Sequence, residues 1–265
     1  MLSYATLNFQ VFFNPARQSN EIRANVSGKW TNHGSPALWR LRFYDPMDIR
    51  TLNRTLSILR REIHKWKVPA VGVIAERAID RPFETLVSTI LSLRTKDAVT
   101  EVAARRLLAR ASTPEALAAL SIEEIEQLIF PVGFYHTKAK HLKETCRNLI
   151  QEYAGRVPRS LEEMLKLPGV GRKTANLVLT VGFGDYGICV DTHVHRISNL
   201  WGFVSTKTPE ETEFALRRKL PRRHWKTFND ILVTFGQNLC VPVSPWCSKC
   251  PVAQYCLRIG LKRSR

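Results

Sequence analysis

The chain is predicted to be an all-α protein, and three observations carry that expectation. From Met47 onward, apolar residues recur at steps of three and four, the spacing of one helical face. Capping residues followed by acids, with Pro or Gly at the ends of the patterned stretches, divide that pattern into helix-sized pieces. No stretch sustains the two-residue alternation of a half-buried strand. With 265 residues and 44% hydrophobic composition, there is ample material for a buried core.

Taken in order, residues 48–66 place Ile49, Leu52, Leu56, Leu59, Ile63 and Trp66 on one face. Pro82 stands at a favourable first-turn position before a helix over 83–93. The next helix, 97–111, aligns Val99, Val102, Ala103, Leu107 and Leu108. Thr113-Pro-Glu and Ser121-Ile-Glu-Glu each read as a cap with acids in the first turn, and Gly133 ends the second of these. A long amphipathic helix is expected over 138–154, closed by Gly155. Further helices are expected at 160–166, 172–182, 192–201, 209–220 and 224–238. Residues 1–46 differ: scattered aromatics (Phe9, Phe12, Phe13, Trp30, Trp39) among Asn, Ser, Gly and Pro show no useful periodicity. They are expected to be a flexible extension, unless Met47 is the true start.

Charge speaks to partners. Forty Lys and Arg against 23 Asp and Glu give a net charge of +17 and attract polyanions, of which nucleic acid is the commonest inside cells. A merely soluble protein with solvated cationic faces is the plainer alternative. No apolar run approaches the roughly 18 residues of a membrane span, and the start lacks a secretory pattern. A cytoplasmic protein without membrane contact is expected. Cys146 and Cys189 stand alone, while Cys240, Cys247, Cys250 and Cys256 cluster, which suggests metal ligation over disulfides.

Three segments carry chemistry. In Leu167-Pro-Gly-Val-Gly-Arg-Lys-Thr-Ala175, Pro168 stops one helix, Gly169 and Gly171 allow a tight turn, and a second helix begins. Exposed amides at that start, with Arg172 and Lys173 behind them, suit a phosphate. The gap and the Gly-Lys-Ser/Thr ending of a nucleotide-triphosphate loop are missing. Lys173 sits where the helix end and Arg172 disfavour its charge, which suits imine chemistry, although from this segment alone gripping a phosphate is the better reading. In Val190-Asp-Thr-His-Val-His195, Asp191 reads first as a helix cap. His193 and His195 are two apart and share no helical face, which disfavours a two-histidine metal site. The four clustered cysteines, with six, two and five residues between them, can hold zinc or an iron–sulfur cluster; the single close pair leans towards iron–sulfur.

Together, the glycine hairpin with Lys173, Asp191 eighteen residues later and the six–two–five cysteine spacing resemble the endonuclease III family of helix–hairpin–helix DNA glycosylases. Leu91-Ser-Leu-Arg-Thr-Lys-Asp97 and Gly133-Phe-Tyr-His-Thr-Lys-Ala139 are similar to family segments in the same order, and the likeness runs from about Met47 to Cys256. The resemblance implies a six-helix barrel with the hairpin over residues 68–185, an iron–sulfur domain from 47–67 and 186–265, and a DNA-binding cleft between them. It implies a four-iron four-sulfur cluster on Cys240, Cys247, Cys250 and Cys256. The implied activity is removal of oxidised pyrimidines from double-stranded DNA, with 3′ cleavage of abasic sites through a lysine imine. The implied protein is a monomer of the nucleoid. Lys173 matches the nucleophile and Asp191 the essential acid, while Gly169, Gly171, Arg172, Arg94 and Phe134 fall at DNA-contacting positions. A mismatch or oxoguanine glycosylase of the same fold, or a non-catalytic DNA-binding relative, are the competing readings. Two departures stand out. Arg94 replaces a usual Gln, and the first cluster loop, 241–246, carries no charge. Lys249 is its one nearby cation, and the run Arg217, Arg218, Lys219, Arg222, Arg223 and Lys226 reads either as compensation or as a solvated face.

Overall fold

Asp48 accepts a hydrogen bond from the Thr51 amide at 2.7 Å and opens α1 (Ile49–Glu62), whose stripe of Leu52, Leu56 and Leu59 is fully buried. In this computed structural model, residues 46–66, 69–76 and 78–265 are described. The expectation for the extension falls almost entirely on residues outside that set; Met47 itself is buried. There follow α2 (Ala70–Glu76), α3 (Arg81–Ser92), α4 (Asp97–Arg110), α5 (Pro114–Ala119), α6 (Ile122–Ile129), α7 (Tyr135–Tyr153), α8 (Leu161–Met164), α9 (Arg172–Leu177), α10 (Thr192–Leu200), α11 (Pro209–Lys219) and α12 (Trp225–Asn238). Among the described residues there is no strand, as the periodicity implied.

The caps expected at Thr113 and Ser121 form: Ser121 and Glu124 make a reciprocal capping box at α6, and Thr113 accepts an amide hydrogen bond at α5. Ser160 and Thr208 accept amide hydrogen bonds in the same way at α8 and α11. Three elements differ from the sequence reading. α2 was not anticipated: its seven residues are mostly small and apolar, and offer no polar face to define a period. α7 begins at Tyr135, three residues before the expected start, because Phe134 adopts a left-handed φ of 59° and turns the chain straight into the helix. The helix expected over 172–182 is α9 followed by a π-helical turn, Val178–Gly182. There Gly182 passes so close to Pro82 that a Cβ would lie 3.0 Å from its Cα.

Buried apolar residues gather in two main cores. The first joins α3 to α9, from Phe83 to Leu179, around Leu86, Leu107, Ile125, Leu142 and Met164. The second joins α1 to residues far along the chain, among them Val194, Ile197, Trp201, Phe228, Leu232, Phe235 and Cys240. A small cluster of Val71, Leu177 and Cys189 adds a third patch of buried apolar surface. Each fully buried leucine of α1 contributes on the order of 1.5–3 kcal/mol relative to exposure. Leu56→Ala should therefore lower the urea-unfolding free energy by about 2–5 kcal/mol, the usual transfer-plus-cavity cost at a fully buried leucine. A loss below about 0.5 kcal/mol, the range of surface substitutions, would show that α1 is peripheral to the second core.

Candidate active site

The hairpin is built by two glycines with different tasks. Gly169 has φ +72°, and a Cβ there would meet the His141 ring at 2.7 Å, so both backbone and neighbour require glycine. Gly171 is extended and caps α9; a Cβ there would touch nothing within 4 Å, so the helix start faces open space. Lys173 follows in the first turn of α9.

A second segment is fastened to the back of that turn. Cys189 is buried, its thiol donates to the Lys173 carbonyl at 3.5 Å, and its own carbonyl accepts from Asn229 of α12 at 3.1 Å. Burial pushes the Cys189 thiol well above the usual range, so it stays protonated and able to donate. Two residues on, Asp191 caps α10 as expected: Oδ1 accepts from the amides of His193 at 2.9 Å and Val194 at 2.8 Å. The cap does not use the other carboxylate oxygen. Lys173 and Asp191 thus line one cavity of about 720 Å³, together with Leu93, Arg94, Phe134, Lys138 and Gly169.

At this cavity two loops present the exposed Phe134 and, 5.6 Å from its ring, the Arg94 guanidinium. Both residues have left-handed φ, 52° for Arg94 and 59° for Phe134, an uncommon state for side-chain-bearing residues. A buried lysine that the sequence reading passed over holds the loops in place. Lys138 Nζ donates to the carbonyls of Leu91 at 2.8 Å and Leu93 at 2.5 Å, and to Thr95 Oγ1 at 3.1 Å. Thr95 Oγ1 also accepts from the Gly133 amide at 3.2 Å, which joins the Arg94 loop to the Phe134 loop. All three ammonium protons are committed, so Lys138 serves as a clamp. In sequence it looks like any lysine on an amphipathic helix.

Arg172 does not project freely beside the hairpin. Its guanidinium forms a two-point ion pair with Glu213 of α11, at 2.9 and 2.7 Å. Much of the basic run is likewise engaged internally. Arg217 binds Glu213 and Asn176, Lys219 donates to the Phe203 carbonyl, Arg223 to Asn53, and Arg222 and Lys226 lie over the Tyr186 ring. His193 packs against Gly236, and His195 pairs with Thr212 at 2.7 Å.

Cys240, Cys247, Cys250 and Cys256 line a single hollow walled by Leu200, Trp201, Phe235 and Trp246. Among the described residues no group of three or more His, Cys, Asp or Glu side chains is set to hold a metal ion. Burial raises Cys250 and Cys256 to about 11, an unfavourable setting for thiolates unless something cationic fills the hollow. Arg196 supports the rim, with Nη1 3.6 Å from Cys240 Sγ and Nη2 donating to the Cys240 carbonyl. The uncharged loop beside it carries a cation from elsewhere: Arg265 stacks on Trp246 at 3.9 Å, and its Nε donates to the Ser244 carbonyl at 2.9 Å.

An all-helical fold with a glycine hairpin, a lysine and an aspartate on one cavity, and a four-cysteine hollow defines a class: the chain belongs to the HhH-GPD superfamily of base excision DNA repair proteins, whose pattern matches residues 87–222. Within it the similarity is to endonuclease III. The enzyme of Thermotoga maritima is 50% identical over 175 residues, covering 66% of this chain and 82% of that protein. That of Bacillus subtilis is 40% identical over 185 residues, covering 69% and 84%. Mouse endonuclease III-like protein 1 is 46% identical over 173 residues, covering 64% of this chain and 58% of that longer protein. Among solved structures, a trapped endonuclease III–DNA covalent intermediate matches with a TM-score of 0.70 at 34% identity, covering 79% of this chain and 95% of that one. The chain is a base excision repair glycosylase, and the non-catalytic reading is set aside. Among the described residues no helix is long and apolar enough to cross a membrane.

The clamp has a pH signature. Burial lowers Lys138 from 10.5 to about 8. Between those values the unfolded chain holds a proton that the folded protein has lost, so this site's contribution to stability rises with pH across that window. Wild type should therefore gain melting temperature relative to Lys138→Met as pH is raised from about 8 to 10.5. A constant difference between the two proteins would place the amine in contact with water.

Proposed function

We propose that the protein removes oxidised pyrimidines from double-stranded DNA and then cuts the strand 3′ to the abasic site, with Lys173 as nucleophile and Asp191 as its acidic partner. The observation that carries this reading is that Lys173 and Asp191 line one cavity, large enough for a flipped nucleotide, beside the exposed Arg94 and Phe134. Phe134 stands where a side chain could enter the base stack, and Arg94 where one could meet the orphaned partner base or a phosphate. The exposed turn at Gly169 and Gly171, which leads into the start of α9, suits the backbone phosphate next to the lesion. Arg172 supports that turn from behind through its ion pair. The solved complexes of endonuclease III with DNA support DNA as the partner.

In the proposed reaction the Lys173 amine attacks the sugar C1′ as the glycosidic bond breaks and the base leaves with the bonding electrons. Asp191 accepts a proton from the amine or stabilises the cationic sugar. The sugar ring opens to an imine. Loss of a C2′ proton then expels the 3′ phosphate by β-elimination. Cys240, Cys247, Cys250 and Cys256, which line one apolar hollow, would hold a four-iron four-sulfur cluster. Such a cluster supplies a fold-stabilising cross-link for residues 240–256.

The deciding experiment is borohydride trapping on abasic and thymine glycol duplexes, with uracil and oxoguanine duplexes alongside to test the competing lesion classes. Lys173→Gln should abolish the trapped adduct while abasic-site binding persists; a variant that still traps would move the nucleophile elsewhere. Asp191→Asn keeps the cap but loses the charge, and base release should fall by about 10²–10⁴-fold, the usual worth of a positioned acid–base group. Near-normal turnover would reduce Asp191 to a cap. Protein purified without oxygen should contain about four iron and four sulfide per chain, and Cys250→Ser should destabilise the segment around it. Stoichiometric zinc would defeat the cluster assignment.

A further inference from the structure

Glu213 is the single acidic side chain in the buried set of the described residues, with 3% of the side chain exposed. Its carboxylate accepts from Arg172 Nε and Nη2 at 2.9 and 2.7 Å, and from Arg217 Nε at 2.9 Å. Arg217 Nη2 donates to Asn176 Oδ1 at 2.9 Å, and Asn176 Nδ2 donates to the Arg172 carbonyl at 3.0 Å. The four side chains close a ring that fastens α11 to α9. The adjacent residue, Thr212, fastens α11 to α10: its Oγ1 pairs with His195 Nδ1 at 2.7 Å and with Thr206 Oγ1 at 2.6 Å.

α9 carries Lys173 directly after Arg172, and α10 begins at the Asp191 cap. Neither Glu213 nor Thr212 lines the cavity that holds Lys173 and Asp191. A buried ion-pair network of this kind is a poor source of net stability, since desolvating three charges offsets most of their attraction. What it supplies is direction: a two-point Arg–carboxylate pair fixes both partners in distance and rotation. From this we infer that Glu213 is a positioning residue for the reaction. Its carboxylate is one arm and Thr212 the other arm of a strut that sets the Lys173 amine against the Asp191 carboxylate. A displacement of about 1 Å between reacting groups is enough to cost on the order of 100-fold in rate.

The inference rests on the assignment of Lys173 and Asp191 under the proposed function, and the test separates the two. Single-turnover base release, the rate of borohydride trapping, and the Kd for a duplex with a non-cleavable abasic analogue are measured on the full chain at a temperature where circular dichroism shows every variant folded. Glu213→Gln should slow base release and trapping by about ten- to a hundredfold, while the Kd stays within about threefold and the iron content is unchanged. Thr212→Val, which cuts the other arm without removing a charge, should give the same split between rate and affinity. The double variant should be little worse than the worse single one, because both cut the same strut. Should Glu213→Gln fail to fold, the Thr212→Val split alone decides. If the folded variants release base within about twofold of wild type, whatever their melting temperature, the strut is only structural and the inference fails. Failure of wild type itself to trap on abasic DNA would instead overturn the assignment of Lys173.

Discussion

The structure depends on one constraint: among the described residues, the apolar stripe of α1 is buried in a core whose members beyond residues 47–66 lie more than a hundred residues away. Leu52, Leu56 and Leu59 share that core with Val194, Trp201, Leu232 and Phe235, so the chain must leave it, build the α3–α9 core, and return. The chemistry sits at the two ends of this crossing: the Gly169–Lys173 turn starts α9, the last helix of the first core, and residues 188–191 open the second. Cys189, bonded to the Lys173 carbonyl and held by Asn229, ties them together. A cavity with an amine and a carboxylate on its walls follows from how the chain re-enters its second core.

Much of this was legible in the sequence because it rests on local rules. Caps at Thr113, Ser121 and Asp191 act on amides two or three residues away, and glycine at 169 answers a positive φ in its own residue. What was not legible depends on partners distant in sequence. Lys138 sits 43 positions from Thr95 and 45 from Leu93, and nothing in the pattern of α7 marks its ammonium as buried. Glu213 reads as an ordinary early acid on an exposed-looking helix. Only the fold shows that it faces Arg172, 41 positions earlier. The seven residues of α2 escaped for the opposite reason: a short, apolar piece has no polar face to set its period.

The charge arithmetic needs the same correction. A net +17 suggests a surface crowded with free cations. Yet Arg172, Arg196, Arg217 and Lys219, along with Lys138, spend their charge on buried carboxylate, carbonyls or sulfur. The bulk figure measures attraction at a distance and not the number of groups available at contact. Conversely, the neutral loop over 241–246 is not without a cation, since Arg265 lies across Trp246 and is anchored on Ser244. Several cations thus serve as fasteners inside the fold, while many others, Arg94 among them, remain exposed.

The distance along the chain between the two halves of the second core also has a meaning in time. While the protein is being made, α1 leaves the ribosome about 190 residues ahead of the cysteine segment, which at about 5–20 residues per second is roughly 10–40 s. Throughout that interval its apolar stripe lacks the core partners of residues 188–252, whereas α3 to α9 meet their own neighbours as they emerge. Residues 188–252 can cover that stripe only after they have emerged, so the second core, whose helix α10 is capped by Asp191, has all its members later than the first.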